Sequence, residues 1–263
     1  MENLDRTAVG ADAGQMNDLR SLGLTWDEPV IYQTDRLERY RDVIETLSSA
    51  GRTFECFCTR REILEAPSAP HTPPGAYPGT CRRLTTAERE AKRASGRPPA
   101  TRIIADVNQF TVVDVISGEY TGAVDDFVIQ RGDGTPAYNL AVVVDDAEQG
   151  IDQVCRGDDL LSSAPRQAYL ATTLGHQPPT YAHVPMVLNT DGVRLSKRDG
   201  AVTLADLAAI GVDAATVLNR IAGSLTLAEP GERIELAELA SRFDPAALPR
   251  EPWIIDPTDW SSH

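Results

Sequence analysis

Three cysteines carry the first piece of chemistry. Cys56-Phe57-Cys58 is followed by Cys81, across a segment from Pro67 to Pro78 rich in proline, alanine and glycine. If Thr53 to Cys58 is a strand, residues two apart share a face, and the thiolates of Cys56 and Cys58 can converge on one point. Cys81 then supplies a third ligand of a tetrahedral, structural zinc site, one ion per chain. His71 or Tyr77 could be the fourth. By chemistry alone His71 is the better candidate, because neutral imidazole is the commoner ligand and a phenol ionises only near pH ~10. Three reduced cysteines in a small core are the alternative. Cys155, alone on an apolar stretch, reads as core.

A second constellation runs from Asp191 to Gly200, where Gly192 and Gly200 bracket Arg194, Leu195, Ser196, Lys197 and Arg198. Such a loop presents cations and a hydroxyl to a polyanion. A triphosphate that gains charge on its leaving group needs this donor set. A surface hairpin with solvated charges is the competing reading. Among 25 cationic residues only Lys92 and Lys197 are lysines. A lysine in so arginine-rich a chain hints that an ammonium point charge is wanted there.

Both motifs need elements to position them. Asp35 to Ala50 predicts an amphipathic helix, with Leu37, Tyr40, Val43, Ile44 and Leu47 on one stripe and Gly51 just past its end. Thr85 to Ser95 predicts a charged helix capped by Thr85 or Thr86. Thr101 to Ala105, Phe110 to Ile116, Phe127 to Gln130 and Ile151 to Cys155 read as strands. Tyr138 to Asp146 could be strand or helix on periodicity alone. Asp158 is placed to cap a helix reaching about Leu174, and Asp191-Gly192 signals a tight turn. Beyond Leu204 the pattern is helical to the end, broken at Pro230, Pro245, Pro249 and Pro252. Strands alternating with helices point to a layered α/β fold with a middle insertion.

With 263 residues and 41% hydrophobic content, the chain is long enough for a sizeable core. It has no apolar run long enough to span a membrane, and its first residues carry acid rather than an apolar signal stretch. Four cysteines are too few for a disulfide scaffold. These features predict a soluble cytoplasmic protein. The net charge of −14 argues against a nucleic-acid partner, but its distribution softens that. From Arg52 to Arg102 ten basic residues face five acidic ones, a local island that could hold a phosphate backbone while the acidic body discourages non-specific binding. A solvated arginine-rich helix surface explains it equally well.

Arg194-Leu195-Ser196-Lys197-Arg198 resembles the KMSKS loop of class I aminoacyl-tRNA synthetases. Glu2-Asn3-Leu4-Asp5-Arg6, Tyr138 to Asp146 and Val154-Cys155-Arg156-Gly157-Asp158-Asp159-Leu160-Leu161 are similar to strings of the glutamyl-tRNA synthetases, in the expected order over nearly the whole chain. Within that group, a Cys-x-Cys … Tyr-x-x-x-Cys pattern and a short tail after the lysine loop resemble the glutamyl-Q tRNA(Asp) synthetases. The resemblance implies a Rossmann-type catalytic domain in two parts, 1–50 and 122–204, a zinc-bearing insertion at 51–121 and a helical part at 205–263. It implies Tyr77 rather than His71 as the fourth ligand beside Cys56, Cys58 and Cys81.

The implied reaction is ATP-dependent activation of L-glutamate, with Mg2+ accompanying ATP, followed by transfer to queuosine in the anticodon loop of tRNA(Asp). Lys197 would be catalytic, residues 194–198 would bind ATP, and Glu2, Tyr138 and Arg156 would bind glutamate. By residue type alone Tyr138 reads as a packing aromatic, and Arg156 and Glu2 as surface charges. A glutamyl-tRNA synthetase fragment charging the tRNA 3′ end is the runner-up, and a non-catalytic RNA-binding remnant is the alternative outside enzymes. A monomer is expected. The strand and HIGH-type motif that open the family precede the matched Glu2–Arg6 string and are absent from this sequence. The expectation is therefore a marginally folded, inactive 263-residue chain whose parallel sheet is opened near its middle and whose activity needs the upstream segment.

Overall fold

The computed structural model describes residues 10–27, 29–65, 76–195, 203–229, 231–256 and 260. They fall into two compact units, one of residues 31–155 and 160–182, the other of residues up to 30, 156–159 and 183 onward.

In the first unit, helix α2 (Leu37–Ser49) follows a 3-10 turn (Gln33–Arg36) and buries Tyr40, Val43, Ile44 and Leu47, the stripe expected from the sequence. It stops where Gly51 adopts φ +68°, a left-handed conformation that costs glycine nothing. The ambiguous Tyr138–Asp146 stretch is a helix, α5 (Tyr138–Glu148). Its valines favour strands locally, but burial of Leu140, Ala141, Val143 and Val144 against α2, Ile103, Ile129, Tyr169 and Leu170 overrides that preference. The buried Asp145 carboxylate accepts from Gln33 Nε2 (3.0 Å), Arg36 Nε (2.7 Å) and Tyr40 Oη (2.7 Å), which ties α2 to α5. Burial and that bond push the Tyr40 hydroxyl well above its ordinary pKa. Leu140 is fully buried, so Leu140→Ala should cost about 2–5 kcal/mol in chemical denaturation; a loss under about 1 kcal/mol would show that this core is not continuous.

Two sheets flank this core. β1 (Thr53–Cys56), β2 (Ala100–Ile103) and β5 (Val128–Gln130) form an antiparallel sheet in the order β1-β2-β5. α3 (Arg60–Glu65) and α4 (Thr86–Ala94) lie between β1 and β2 in sequence. α4 is capped by Thr85, whose side chain accepts from Glu88 N while the Glu88 carboxylate accepts from Thr85 N. The second sheet runs β4-β3-β7-β6, from β3 (Gln109–Asp114), β4 (Gly118–Ala123), β6 (Gln153–Gly157) and β7 (Thr180–Val184). β3 pairs antiparallel with β4 and parallel with β7. The fold is α/β, as expected, but its sheets are mixed rather than parallel throughout. β3 accordingly alternates, with Val112 and Asp114 buried and Val113 exposed.

Four further expectations are corrected. β1 ends at Cys56, so Cys58 lies beyond the strand. Cys155 is exposed rather than core, because β6 turns Val154 towards Val112, Ala164, Ala168 and Tyr181 and so turns the next residue away. Asp158 opens a 3-10 turn (Asp158–Ser163), and α6 (Ala164–Thr173) starts only where Pro165 fits its first turn. The tail is not helical throughout. After α7 (Leu204–Ala209), α8 (Ala214–Ser224) and α9 (Leu236–Arg242), a 3-10 turn (Pro245–Ala247) follows and β9 (Trp253–Ile254) pairs parallel with β8 (Val187–Leu188). These elements belong to the second unit, as does α1 (Ala11–Ser21), which the sequence reading did not anticipate.

Candidate metal centre and synthetase site

The end of β1 delivers Cys56, the following turn delivers Cys58, and the segment before α4 returns Cys81 to them. All three sulfurs lie within 4.8 Å of one another, with Cys58 Sγ and Cys81 Sγ 3.5 Å apart. Cys56 and Cys81 are buried, and all three are free thiols. Convergence thus survives the early end of the strand. Phe57 N donates to Cys81 Sγ (3.4 Å). Tyr77 is buried too: its Oη lies 3.5 Å from Cys56 Sγ and accepts from Cys81 N at 2.7 Å. His71 lies outside the described residues.

Without an ion the ligand groups differ in how readily they ionise. Burial pushes the Cys56 thiol up, but its bond with Tyr77 and the Arg102 charge outweigh this and leave it below the ordinary value. Cys58 is pushed up to about 12 by burial and by the neighbouring sulfurs of Cys81 and Cys56. Three crowded sulfurs repel one another as thiolates, and a bound divalent ion reverses that logic. The Arg102 guanidinium stacks 3.8 Å from the Tyr77 ring centroid, and Tyr77 N donates to Asp125 Oδ2 (2.8 Å). These contacts hold the phenol in place. The three cysteines could therefore hold a metal ion.

The basic island around this centre is laced with ion pairs: Arg52–Asp106, Arg61–Glu65, Arg82–Asp126 and Arg93–Glu55. These four arginines are paired with carboxylates, two within the island and two, Asp106 and Asp126, beyond it. Next to the centre, Tyr77, Arg82, Arg83, Tyr120, Asp125 and Asp126 border a groove of about 990 Å3.

Tyr138 begins α5 and is about half exposed, so it is not the packing aromatic that residue type alone suggests. In the second unit, Arg156 at the end of β6 donates through Nε to His183 Nε2 at 3.0 Å. His183 is buried, and the sequence reading missed it; no spacing rule links the two positions. Asp159 accepts from Arg194 at 2.8 Å. Arg194 leaves the predicted turn, in which Asn189 Oδ1 accepts from Asp191 N and Val193 N and Gly192 has φ +73°. Leu195 follows Arg194 and borders an apolar groove with Leu204, Leu207 and Trp253. Glu2, Ser196, Lys197 and Arg198 lie outside the described residues. Among the described residues no helix is long and apolar enough to cross a membrane.

Residues 2–259 match the family of class I tRNA synthetases (E and Q), catalytic domain. The chain is 58% identical over 255 residues to a glutamyl-Q tRNA(Asp) synthetase of Nocardia farcinica, covering 97% of this chain and 81% of that protein. It is 50% identical to a glutamyl-Q tRNA(Asp) synthetase of Cutibacterium acnes, over 94% of this chain and 72% of that one. A glutamate tRNA ligase from Elizabethkingia meningosepticum, crystallised in complex with its amino acid, shares the fold with a TM-score of 0.77 at 21% identity. That match covers 98% of this chain and 59% of the solved one. The chain therefore belongs to the class I tRNA synthetases of the E and Q type and is an aminoacyl-tRNA synthetase-like ligase.

Proposed function

We propose that the full-length protein activates L-glutamate with ATP and transfers the glutamyl group to queuosine in the anticodon loop of tRNA(Asp). The observation that carries this reading is the 58% identity, across 97% of the chain, to a protein named for that activity. In the first step a glutamate carboxylate oxygen attacks the α-phosphorus, glutamyl-adenylate forms and pyrophosphate leaves. In the second a hydroxyl of the queuosine cyclopentene ring attacks the acyl carbon, AMP leaves and the hydroxyl proton is released.

Lys197 neutralises charge growing on the β- and γ-phosphates, an interaction that strengthens in the transition state. Residues 194–198 embrace ATP, which carries Mg2+. Arg156 grips a glutamate carboxylate through its planar fork, Tyr138 donates its hydroxyl to the same substrate, and Glu2 pairs with the ammonium group. One zinc ion, held by Cys56, Cys58, Tyr77 and Cys81, organises the 51–121 insertion between the two parts of the catalytic domain, 1–50 and 122–204; 205–263 is the helical C-terminal part. The protein works in the cytoplasm as a monomer.

An unstacked anticodon loop is readable in a way that a duplex is not. Incubation with labelled glutamate, ATP and tRNA(Asp), with and without queuosine, tests the acceptor. Label should enter only the queuosine-bearing tRNA. Label at the 3′ end of tRNA(Glu) would instead identify a glutamyl-tRNA synthetase activity, and absence of glutamate-dependent ATP–pyrophosphate exchange in the full-length protein would leave an RNA-binding remnant.

A further inference from the structure

We propose that His183 is the positioning residue for Arg156, setting the direction in which its guanidinium meets the substrate carboxylate. This rests on the reading of Arg156 as a glutamate-binding residue. His183 sits on β7 with 1% of its surface exposed, and its Nε2 accepts the Arg156 Nε proton at 3.0 Å. Accepting there requires the ring to carry its own proton on Nδ1, so the contact itself brings no negative charge to the guanidinium. A carboxylate in its place would partly neutralise Arg156 and compete with the substrate's own carboxylate. An imidazole accepting at Nε2 fixes the angle of the fork without itself placing a carboxylate against it.

The next residue, Gly157, lies close to two side chains. A Cβ at Gly157 would stand 2.6 Å from Met186 Sδ and 2.8 Å from Asp159 Oδ1, so the chain passes where only glycine fits without displacing those side chains. With Nε held by His183, the guanidinium has less rotamer freedom for binding to remove.

Calorimetric titration of L-glutamate into the full chain tests this with His183→Gln and His183→Glu, two side chains of nearly the same size and reach. Gln keeps an uncharged acceptor and should leave glutamate affinity within about threefold of the unaltered chain, whereas Glu adds charge and should weaken it about tenfold or more. ATP affinity should change less than about twofold in both. Because Glu also buries a charge, a merely structural His183 would lower ATP affinity along with glutamate affinity, so equal glutamate affinities in the pair, or an ATP loss matching the glutamate loss, overturn the assignment. His183→Ala should weaken glutamate and Gln should rescue it; if Ala does not fold, the Gln–Glu contrast still decides. Arg156→Ala separates the two claims: glutamate binding unaffected by it removes the reading of Arg156 itself. No glutamate binding by the unaltered chain removes both.

Discussion

Lys197→Ala in the full-length protein lowers glutamate-dependent ATP–pyrophosphate exchange roughly 100- to 1,000-fold, the usual loss when one preorganised donor to a charge-developing centre is removed. The size follows from where the ammonium acts. Negative charge grows on the leaving pyrophosphate only as the α-phosphorus is attacked, so the interaction is worth more in the transition state than in the ground state. The KM for ATP should therefore rise far less than kcat falls. Among the described residues, Arg194 donates to Asp159 and Thr203 caps α7. Lys197→Arg should recover only part of the rate, because a planar fork is a poor substitute for a compact point charge. Equal exchange rates in the unaltered protein and Lys197→Ala would remove Lys197 from the chemistry.

Cys81→Ser abolishes stoichiometric zinc, which elemental analysis should find at one ion per chain in the unaltered protein. Cys81 contacts Cys58 through sulfur, receives the Phe57 amide and donates its own amide to Tyr77, so its loss dismantles the centre rather than one corner of it. An ion that binds only the folded chain stabilises it by about 4 kcal/mol at a thousandfold excess over its Kd. Chelation should therefore lower the melting temperature of the unaltered protein and leave Cys81→Ser unmoved. Cys155→Ser, exposed and remote from the cluster in sequence, should keep its zinc. Tyr77→Phe should weaken zinc retention and His71→Ala should not; the reverse would make His71 the fourth ligand. Full zinc in Cys81→Ser, or none in the unaltered protein, would overturn the site.

The sequence by itself determined features encoded over a few residues. The Cys-x-Cys pair with Cys81, the stripe on α2, the Thr85 cap and the turn at Gly192 were legible because each depends on local spacing or a backbone preference, whereas the choice of Tyr77 came only from the family resemblance. Family strings around Arg156 and Lys197 were legible for a different reason: they matched known motifs. Tertiary structure alone decided what depends on distant partners. Tyr138–Glu148 is a helix because its apolar residues are buried by α2, α6 and the sheet strands, and because Asp145 meets Gln33, Arg36 and Tyr40 far away in sequence. The short strand at Trp253 exists only because Val187 and Leu188 offer it an edge. Cys155 faces outward because its neighbour Val154 was claimed by a cluster assembled from β3, α6 and β7. His183 was invisible as a partner of Arg156, since a buried imidazole acquires a role only from the donor that folding places 3.0 Å away. Periodicity reports which residues can share a face, and long-range packing determines what that face meets.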